Sequence, residues 1–328
     1  MSKESFFVGV DVGKDELWVA IDGHRPRRFT HCTSGIRLMH EWAEEAAEGS
    51  PLHFCMEATG VYSLSVAYQV FTYPNTALSV VNPAQINAYA KAQLKRTKTD
   101  QVDARVILSF AQSQRLPIWS PDSKSLRQLY QLVVQADAIR AGLRQWANRR
   151  HAQEYAPDLP ETVKKTQQAI VRSLTRQLAK IEQAIAVLCR TDPELKEQVE
   201  LLVTITGIAH LSAVKVLAYG GNALTQRSRK ELTAHAGLAS CHHQSGTSVR
   251  GKSHLARQGD QRLRTALYMP TLVGIVRNPV LKQFYQHLLE MGKPKMVALV
   301  ACMRKLLLII RSMLINKKPF NPEILPLT

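Results

Sequence analysis

Residues 5–15 read Ser5-Phe6-Phe7-Val8-Gly9-Val10-Asp11-Val12-Gly13-Lys14-Asp15. A short apolar run rich in β-formers closes on a carboxylate and then on a glycine turn. Beyond the turn, Glu16–Ile21 reads as a second strand and Arg28–His31 as a third, so the chain opens with a β-meander. The period then changes. Ile36, Met39, Trp42 and Ala46 keep helical spacing within Gly35–Ala47. Leu52–Met56 is a fourth strand, Tyr62–Phe71 a helix and Ala77–Val81 a fifth strand; Asn82-Pro83 then opens another helix. Three strands followed by alternating helix and strand predict one α/β sheet domain over residues 1–120.

From 121 to 200 the pattern is helical. Leu129, Val133, Ala136, Leu143 and Trp146 recur at helical spacing, and Pro157 and Pro160 interrupt it. Val163, Ile170, Leu174, Leu178, Ile181, Ile185 and Leu188 then approximate a heptad seam. Two long helices follow from this, either as an oligomerising coiled coil or as a helical hairpin within one chain. Residues 201–328 form the third segment and are mainly helical. Ile205-Thr206-Gly207-Ile208-Ala209 is either a phosphate-holding helix-hairpin-helix turn or a plain helical turn. Residues 238–262 break the helical pattern with Gly, Ser, His and Arg and read as an exposed functional loop. Arg262–Ile275 and Lys295–Ile315 resume as helices.

The 328 residues, 45% hydrophobic and 21% charged, exclude a disordered or fibrous chain. The net charge of +17 points to a polyanionic partner, nucleic acid before membrane. That charge is unevenly placed: residues 1–120 sum to 0, 121–200 to +3 and 201–328 to +14. Five scattered cysteines without a CxxC pair argue against a zinc site or a disulfide framework. The most apolar stretch, 296–315, contains Arg304, Lys305 and Arg311, which argues against a membrane span. With no visible signal peptide, a soluble, cytoplasmic protein without a membrane partner is expected.

Four carboxylates stand at suggestive positions. Asp11 closes the first strand and Glu57 the fourth, each followed by a glycine turn. Alone, Asp11 is either a strand-capping acid or part of a phosphate strand of an actin-like ATPase. Asp100 and Asp103 share one helix face at i, i+3. That pair is either a solvated first helical turn or a cation site. Together, two strand-end acids and an acidic helical pair match a two-metal phosphoryl-transfer site, in which hard oxygen ligands hold Mg²⁺ ions that clamp the attacking and leaving oxygens. The cations Lys91, Lys95, Arg96 and Lys98 just upstream would meet a nucleic-acid backbone. A second constellation is His242-His243-Gln244-Ser245-Gly246-Thr247-Ser248-Val249-Arg250-Gly251-Lys252, continued by Arg257, Arg262 and Arg264. Its cations read as phosphate ligands. Ser245 is either a nucleophile or one more phosphate ligand.

The combination of Gly9-Val10-Asp11, Met56-Glu57-Ala58-Thr59-Gly60-Val61-Tyr62, Val81-Asn82-Pro83, Lys98-Thr99-Asp100-Gln101-Val102-Asp103-Ala104-Arg105 and Gln244-Ser245-Gly246-Thr247-Ser248-Val249-Arg250-Gly251 resembles the DEDD-type insertion-sequence transposases, the family of Piv-like invertases and bridge-RNA-guided recombinases. The resemblance runs along nearly the whole chain. It implies a RuvC-like, RNase H-type α/β domain at 1–120 holding Mg²⁺, two ions per composite site, on Asp11, Glu57, Asp100 and Asp103. It implies a helical coiled-coil linker at 121–200 that builds dimers and tetramers, and a mainly α transposase domain at 201–328. In that domain the serine matched by Ser245, rather than Ser248, attacks DNA and is held as a phosphoserine ester. The implied partners are donor and target DNA and a structured bridge RNA. A metal-dependent junction nuclease is the principal alternative, with the four acids hydrolysing DNA and Ser245 only touching phosphate. A non-enzymatic nucleic-acid-binding protein is disfavoured because all four acids are present. An actin-like ATPase is disfavoured because no second glycine-rich phosphate loop follows.

Overall fold

Alternation along strand β1 (Phe6–Val12) sends Val8, Val10 and Val12 to one side and Phe7, Gly9 and Asp11 to the other. Everything in the first unit is arranged about these two faces. The computed structural model describes residues 5–94, 99–155, 158–241, 244–245, 249–250, 254–255 and 259–322, with the backbone alone at 240–241 and in the three two-residue pieces. The chain divides into two compact units, residues 1–121 and 122–328.

In the first unit β2 (Glu16–Ile21), β3 (Arg27–Thr30), α1 (Thr33–Ala47), β4 (Leu52–Glu57), α2 (Val61–Val70), β5 (Thr76–Val81), α3 (Pro83–Ala92) and α4 (Asp100–Ser113) follow in order. The five strands form one sheet in the order β3-β2-β1-β4-β5. Short turns make β1–β2 and β2–β3 antiparallel, whereas the helical crossovers α1 and α2 make β1–β4 and β4–β5 parallel. The meander and the two strand–helix–strand units read in the sequence are all present.

Helices cover both faces. Val8, Val10 and Val12 bury with Phe54 and Met56 beneath Ile36, Met39 and Ala43 of α1 and Val66, Ala67 and Val70 of α2. On the other face Phe7 and Cys55 pack with Ile107, Phe110 and Ala111 of α4 and Ile86 of α3. Gly9 lies at the centre of that face. A Cβ built there would stand 2.5 Å from the Ala104 carbonyl oxygen and 2.5 Å from the Leu108 nitrogen, so the α4 backbone rests directly on β1. Local signals hold the helix starts. The Asn82 side chain accepts from the Ala84 N–H at 2.9 Å with Pro83 at the first helical position, and Thr99 caps α4.

The second unit contains α5 (Lys124–Gln153), α6 (Glu161–Thr191), α7 (Pro193–Val203), α8 (His210–Gly220), α9 (Ala223–Gln226), α10 (Arg229–His235), α11 (Gln261–Arg277), α12 (Pro279–Glu290) and α13 (Lys295–Asn316). One core joins Leu129, Val133 and Ala136 of α5, Ile185 of α6 and the buried faces of α8, α11 and α13. Helices α5 and α6 are antiparallel: Gly142 faces Leu174, Arg140 pairs with Glu182, and Gln167 bonds Gln153. The seam residues Val163, Ile170, Leu174, Leu178, Ile181 and Leu188 are half-buried and Ile185 is buried, while their neighbours on α6 are mostly exposed. No helix among the described residues is long and apolar enough to cross a membrane.

Asp137 of α5 ties that helix to α8. Its carboxylate takes Lys215 Nζ at 2.6 Å, Arg140 Nη1 at 2.9 Å and the Tyr219 hydroxyl at 2.8 Å. Burial opposes its charge, but the bonds from Lys215, Tyr219 and Arg140 prevail and hold its pKa below the ordinary carboxylate value.

Two parts differ from the sequence reading. Within 238–262, β6 (Ser240–Cys241) pairs with β9 (His254–Leu255), and β7 (Gln244–Ser245) pairs with β8 (Val249–Arg250). Two-residue ladders are too short to display a period of two. Helix α12 begins at Asn278-Pro279 with the Asn side chain accepting from the Val280 and Leu281 N–H groups, the same start signal as Asn82-Pro83.

Gly9→Ala should destabilise the protein by about 2 kcal/mol or more in urea unfolding, because backbone rather than a movable side chain opposes the new methyl. Asp137→Asn should cost roughly 1–2 kcal/mol at pH 7, since Lys215 and Arg140 lose their counter-charge. A carboxylate whose folded pKa is depressed gives stability above its ordinary pKa and loses it as pH falls through the folded value. The difference between variant and wild type should therefore shrink in acid. An equal deficit at pH 7 and in strong acid would contradict this.

Candidate active site

Register brings the first two acids together. Val10 pairs with Met56 across the parallel β1–β4 ladder, so Asp11 and Glu57 are the next residues in line at the same end of adjacent strands. Asp11 shares its face with Gly9, and Glu57 shares its face with Cys55. Both faces are the one covered by α4. Phe7 packs toward the C-terminal half of α4 and Gly9 against Ala104, so α4 runs antiparallel to β1 and carries its N-terminus toward the acid end. Asp100 and Asp103 form the first turn of α4, where the helix dipole favours negative charge. Asp11, Glu57 and Asp103 are half-buried and Asp100 is exposed. None of Asp11, Glu57 or Asp103 is without an interaction partner. Glu57 also marks its surroundings: burial first, and the Glu57 charge second, push the Cys55 thiol up to about 12.

Hard carboxylate oxygens in this placement suit a magnesium-type cation by donor chemistry. They do not form a closed cage: among the described residues no group of three or more His, Cys, Asp or Glu side chains is set to hold a metal ion. Magnesium keeps several waters and takes one or two protein carboxylates together with substrate phosphate oxygens, so the strand-end pair meets the minimum requirement.

The other expected residues fall in three groups. Lys95, Arg96, Lys98, Lys252 and Arg257 lie outside the described residues, as do Gly246, Thr247 and Ser248. Ser245 and Arg250 belong to the β7–β8 ladder, with Ser245 opposite Val249 and Gln244 opposite Arg250. Arg262 and Arg264 are on helix α11, which Asp260 caps, in keeping with the helix read from Arg262. Arg262 donates to the Tyr130 hydroxyl at 2.6 Å and Arg264 to the Ala236 carbonyl at 3.3 Å, so both guanidinium groups hold the fold as well as carrying charge. At the 205–209 turn Gly207 has φ +109°, and its backbone lies against Pro270 and Gly274 of α11.

Comparisons with known proteins agree along the chain. Residues 8–153 match the family model of the DEDD transposase of IS110 elements, described as a transposase, and residues 199–286 match the transposase family IS116/IS110/IS902. The pilin gene-inverting proteins of Moraxella bovis and Moraxella lacunata are each 31% identical over 323 residues, which covers 97% of this chain and 98% of each relative. The chain is thus a DNA transposase or recombinase, an enzyme acting on DNA. The chain is a member of the IS116/IS110/IS902 transposase family.

One group at the acid end had no sequence signal. His31 follows β3 and joins the turn after Asp11 to the helix after Glu57. Its Nδ1 lies 2.9 Å from the Gly13 carbonyl, which only accepts, so that nitrogen carries the hydrogen; Nε2 lies 2.7 Å from the Ser65 hydroxyl of α2. A lone histidine after an edge strand carries no motif, and only the folded chain shows both partners. His31→Ala should lower recombination of the element's own ends about tenfold through misplacement of the acid end, with DNA affinity retained. His31→Gln, which keeps a donor and an acceptor, should recover part of the loss. Full activity in His31→Ala, measured by joint-specific amplification, would deny it this positioning role.

Proposed function

We propose that the protein is a site-specific DNA recombinase of an insertion sequence, with a RuvC-like, RNase H-type first unit. In this reading Asp11, Glu57, Asp100 and Asp103 hold Mg²⁺, two ions in the complete site, and Ser245 is the nucleophile. The observation that carries it is the adjacency of Asp11 and Glu57 on the strand face where α4 presents Asp103. The strand order β3-β2-β1-β4-β5, with its antiparallel meander and parallel remainder, supports the fold assignment.

The chemistry follows from these groups. The Ser245 hydroxyl oxygen attacks the scissile phosphorus, forming one P–O bond as the bond to the leaving deoxyribose oxygen breaks. The hydroxyl proton leaves and the departing oxygen gains one, so the phosphodiester becomes a phosphoserine ester of equal bond count. An incoming deoxyribose hydroxyl reverses the step on a new strand. Bound magnesium would lower the pKa of the attacking hydroxyl and stabilise the leaving oxygen. The acids orient that charge, and Arg250 and its neighbouring cations, Lys252 and Arg257, take the phosphate oxygens. Lys95, Arg96 and Lys98 would meet the backbone beside the acids. The proposal includes a structured bridge RNA that selects donor and target DNA. It also includes a dimer or tetramer that draws acids and serine from different subunits. The half-buried seam residues Val163, Ile170, Leu174 and Leu178 support packing of a second copy along α6.

Asp11→Asn, Glu57→Gln, Asp100→Asn and Asp103→Asn should each abolish recombination while DNA binding and the fold persist. Ser245→Ala should bind DNA and form no covalent adduct, whereas Ser248→Ala should retain activity. Denaturing electrophoresis of labelled substrate with peptide mapping reads both results. An adduct on Ser248 would overturn the nucleophile, and free 3′-hydroxyl and 5′-phosphate ends without adduct would favour the hydrolytic nuclease. Purified protein should carry RNA; sequence-specific recombination by RNA-free protein would remove the guide.

A further inference from the structure

The long hairpin carries a charge pattern that its segment sum hides. Residues 162–181 of α6 contain Lys164, Lys165, Arg172, Arg176 and Lys180 and no acid. Residues 138–153 of α5 contain Arg140, Arg144, Arg149 and Arg150, again with no acid. The acids of this region collect at the connecting turn, as Glu154, Asp158 and Glu161, and at the base, as Asp137 and Glu182. At 100° per residue Lys165, Arg172, Arg176 and Lys180 fall within an arc of about 80°. The seam residues Ile170, Leu174, Leu178 and Ile181, which face α5, centre about 150° away. All four cations are exposed, and none makes an ion pair among the described residues. At 1.5 Å per residue the row is about 22 Å long, the length of six to seven base pairs of duplex. A helix stiffened by an antiparallel partner keeps such a row straight, which suits the regular phosphate line of a duplex better than a folded single strand.

We propose that the outer face of α6 is a DNA-docking surface: Lys165, Arg172, Arg176 and Lys180 lie along one phosphate backbone of duplex DNA. The contact is electrostatic and sequence-independent. It leaves the opposite, apolar side of α6 to α5 and to a second copy of the chain.

The test uses the full-length protein and a random-sequence 30-base-pair duplex. The variant Lys165→Gln, Arg172→Gln, Arg176→Gln, Lys180→Gln keeps good helix formers at every position. It should weaken binding at least about tenfold near 150 mM salt and reduce the slope of log affinity against log salt by about 3. The pair Arg172→Gln, Arg176→Gln should give about half that change and covers the case in which the fourfold variant loses its helix by circular dichroism. A control with Lys282→Gln, Lys293→Gln, Lys295→Gln and Lys318→Gln removes the same charge from other exposed positions and should change the slope far less. Equal losses in stripe and control variants would reduce the effect to net charge and overturn the proposal. An unchanged slope in both stripe variants would do the same. A loss confined to a structured RNA probe, with duplex binding intact, would replace DNA by RNA on this face and also refute it. The acid variants, which should still bind the duplex, keep this outcome separate from that of the catalytic reading.

Discussion

The contact between Gly9 and the backbone of α4 is the constraint on which the first unit depends. A side chain at position 9 would meet main-chain atoms at 2.5 Å, and main chain at the middle of a packed helix cannot step aside. Ala104, wholly buried, packs with Ala20 and Leu108 beside the contact. This close approach seats α4 on β1 and fixes how far its first turn extends past the strand ends. Asp100 and Asp103 therefore owe their position to a residue that carries no chemistry. The valine row on the opposite face of β1 anchors the sheet against α1 and α2, so the α4 face is free to specialise. Two short strand extensions, to Asp11 on β1 and Glu57 on β4, complete the acid end.

The second unit is organised by a polar point and not by a close approach. Asp137 sits where α5 meets α8, and its bonds to Arg140, Lys215 and Tyr219 fix the rotation of the hairpin at its base. Arg140 continues to Glu182, so the same network reaches α6. Beyond it the hairpin is held by a thin seam in which Gly142 admits Leu174. Burying partly desolvated charges costs energy, and the pairing here offsets that cost only because every member has a partner. What the arrangement secures is direction: the outer face of α6 is set by the base from which the hairpin rises.

Much of this was legible in the sequence. Strand ends closing on acids, the Asn82-Pro83 helix start and the half-buried seam of α6 follow from periodicity and local capping, which are properties of neighbouring residues. The candidacy of Asp11 and Glu57 was legible for the same reason, since each acid stands at or next to the end of its own strand. The register that makes them neighbours is a property of two distant segments joined by α1, and periodicity does not encode it. His31 shows the limit more sharply, because its meaning lies in Gly13 and Ser65, which no local pattern connects to it. Arg262 and Arg264 continue the basic run of the serine loop in sequence, but they stand on the helix read from Arg262 onward, and the capping side chain of Asp260 sets its start. The small ladders around Ser245 are likewise invisible to a period-two search, being only two residues long.

Charge, read by segment, conceals as much as it shows. The first 120 residues balance to zero while concentrating four carboxylates toward one end of a sheet. The next 80 sum to only +3, although the middle of the hairpin is free of acids, because its compensating carboxylates are gathered at the turn and the base. Such segregation has a cost in self-repulsion along α6 that no intrahelical pair relieves, and a merely solvated helix would relieve it with acids at i+4. A helix that keeps its cations unpaired over about 22 Å instead leaves them available to an external polyanion. DNA is the polyanion this enzyme family acts on, and its bound counterions are released when such cations replace them. On the proposed reading the basic second unit supplies non-specific attraction to DNA, and the carboxylates of the neutral first unit serve the reacting phosphate.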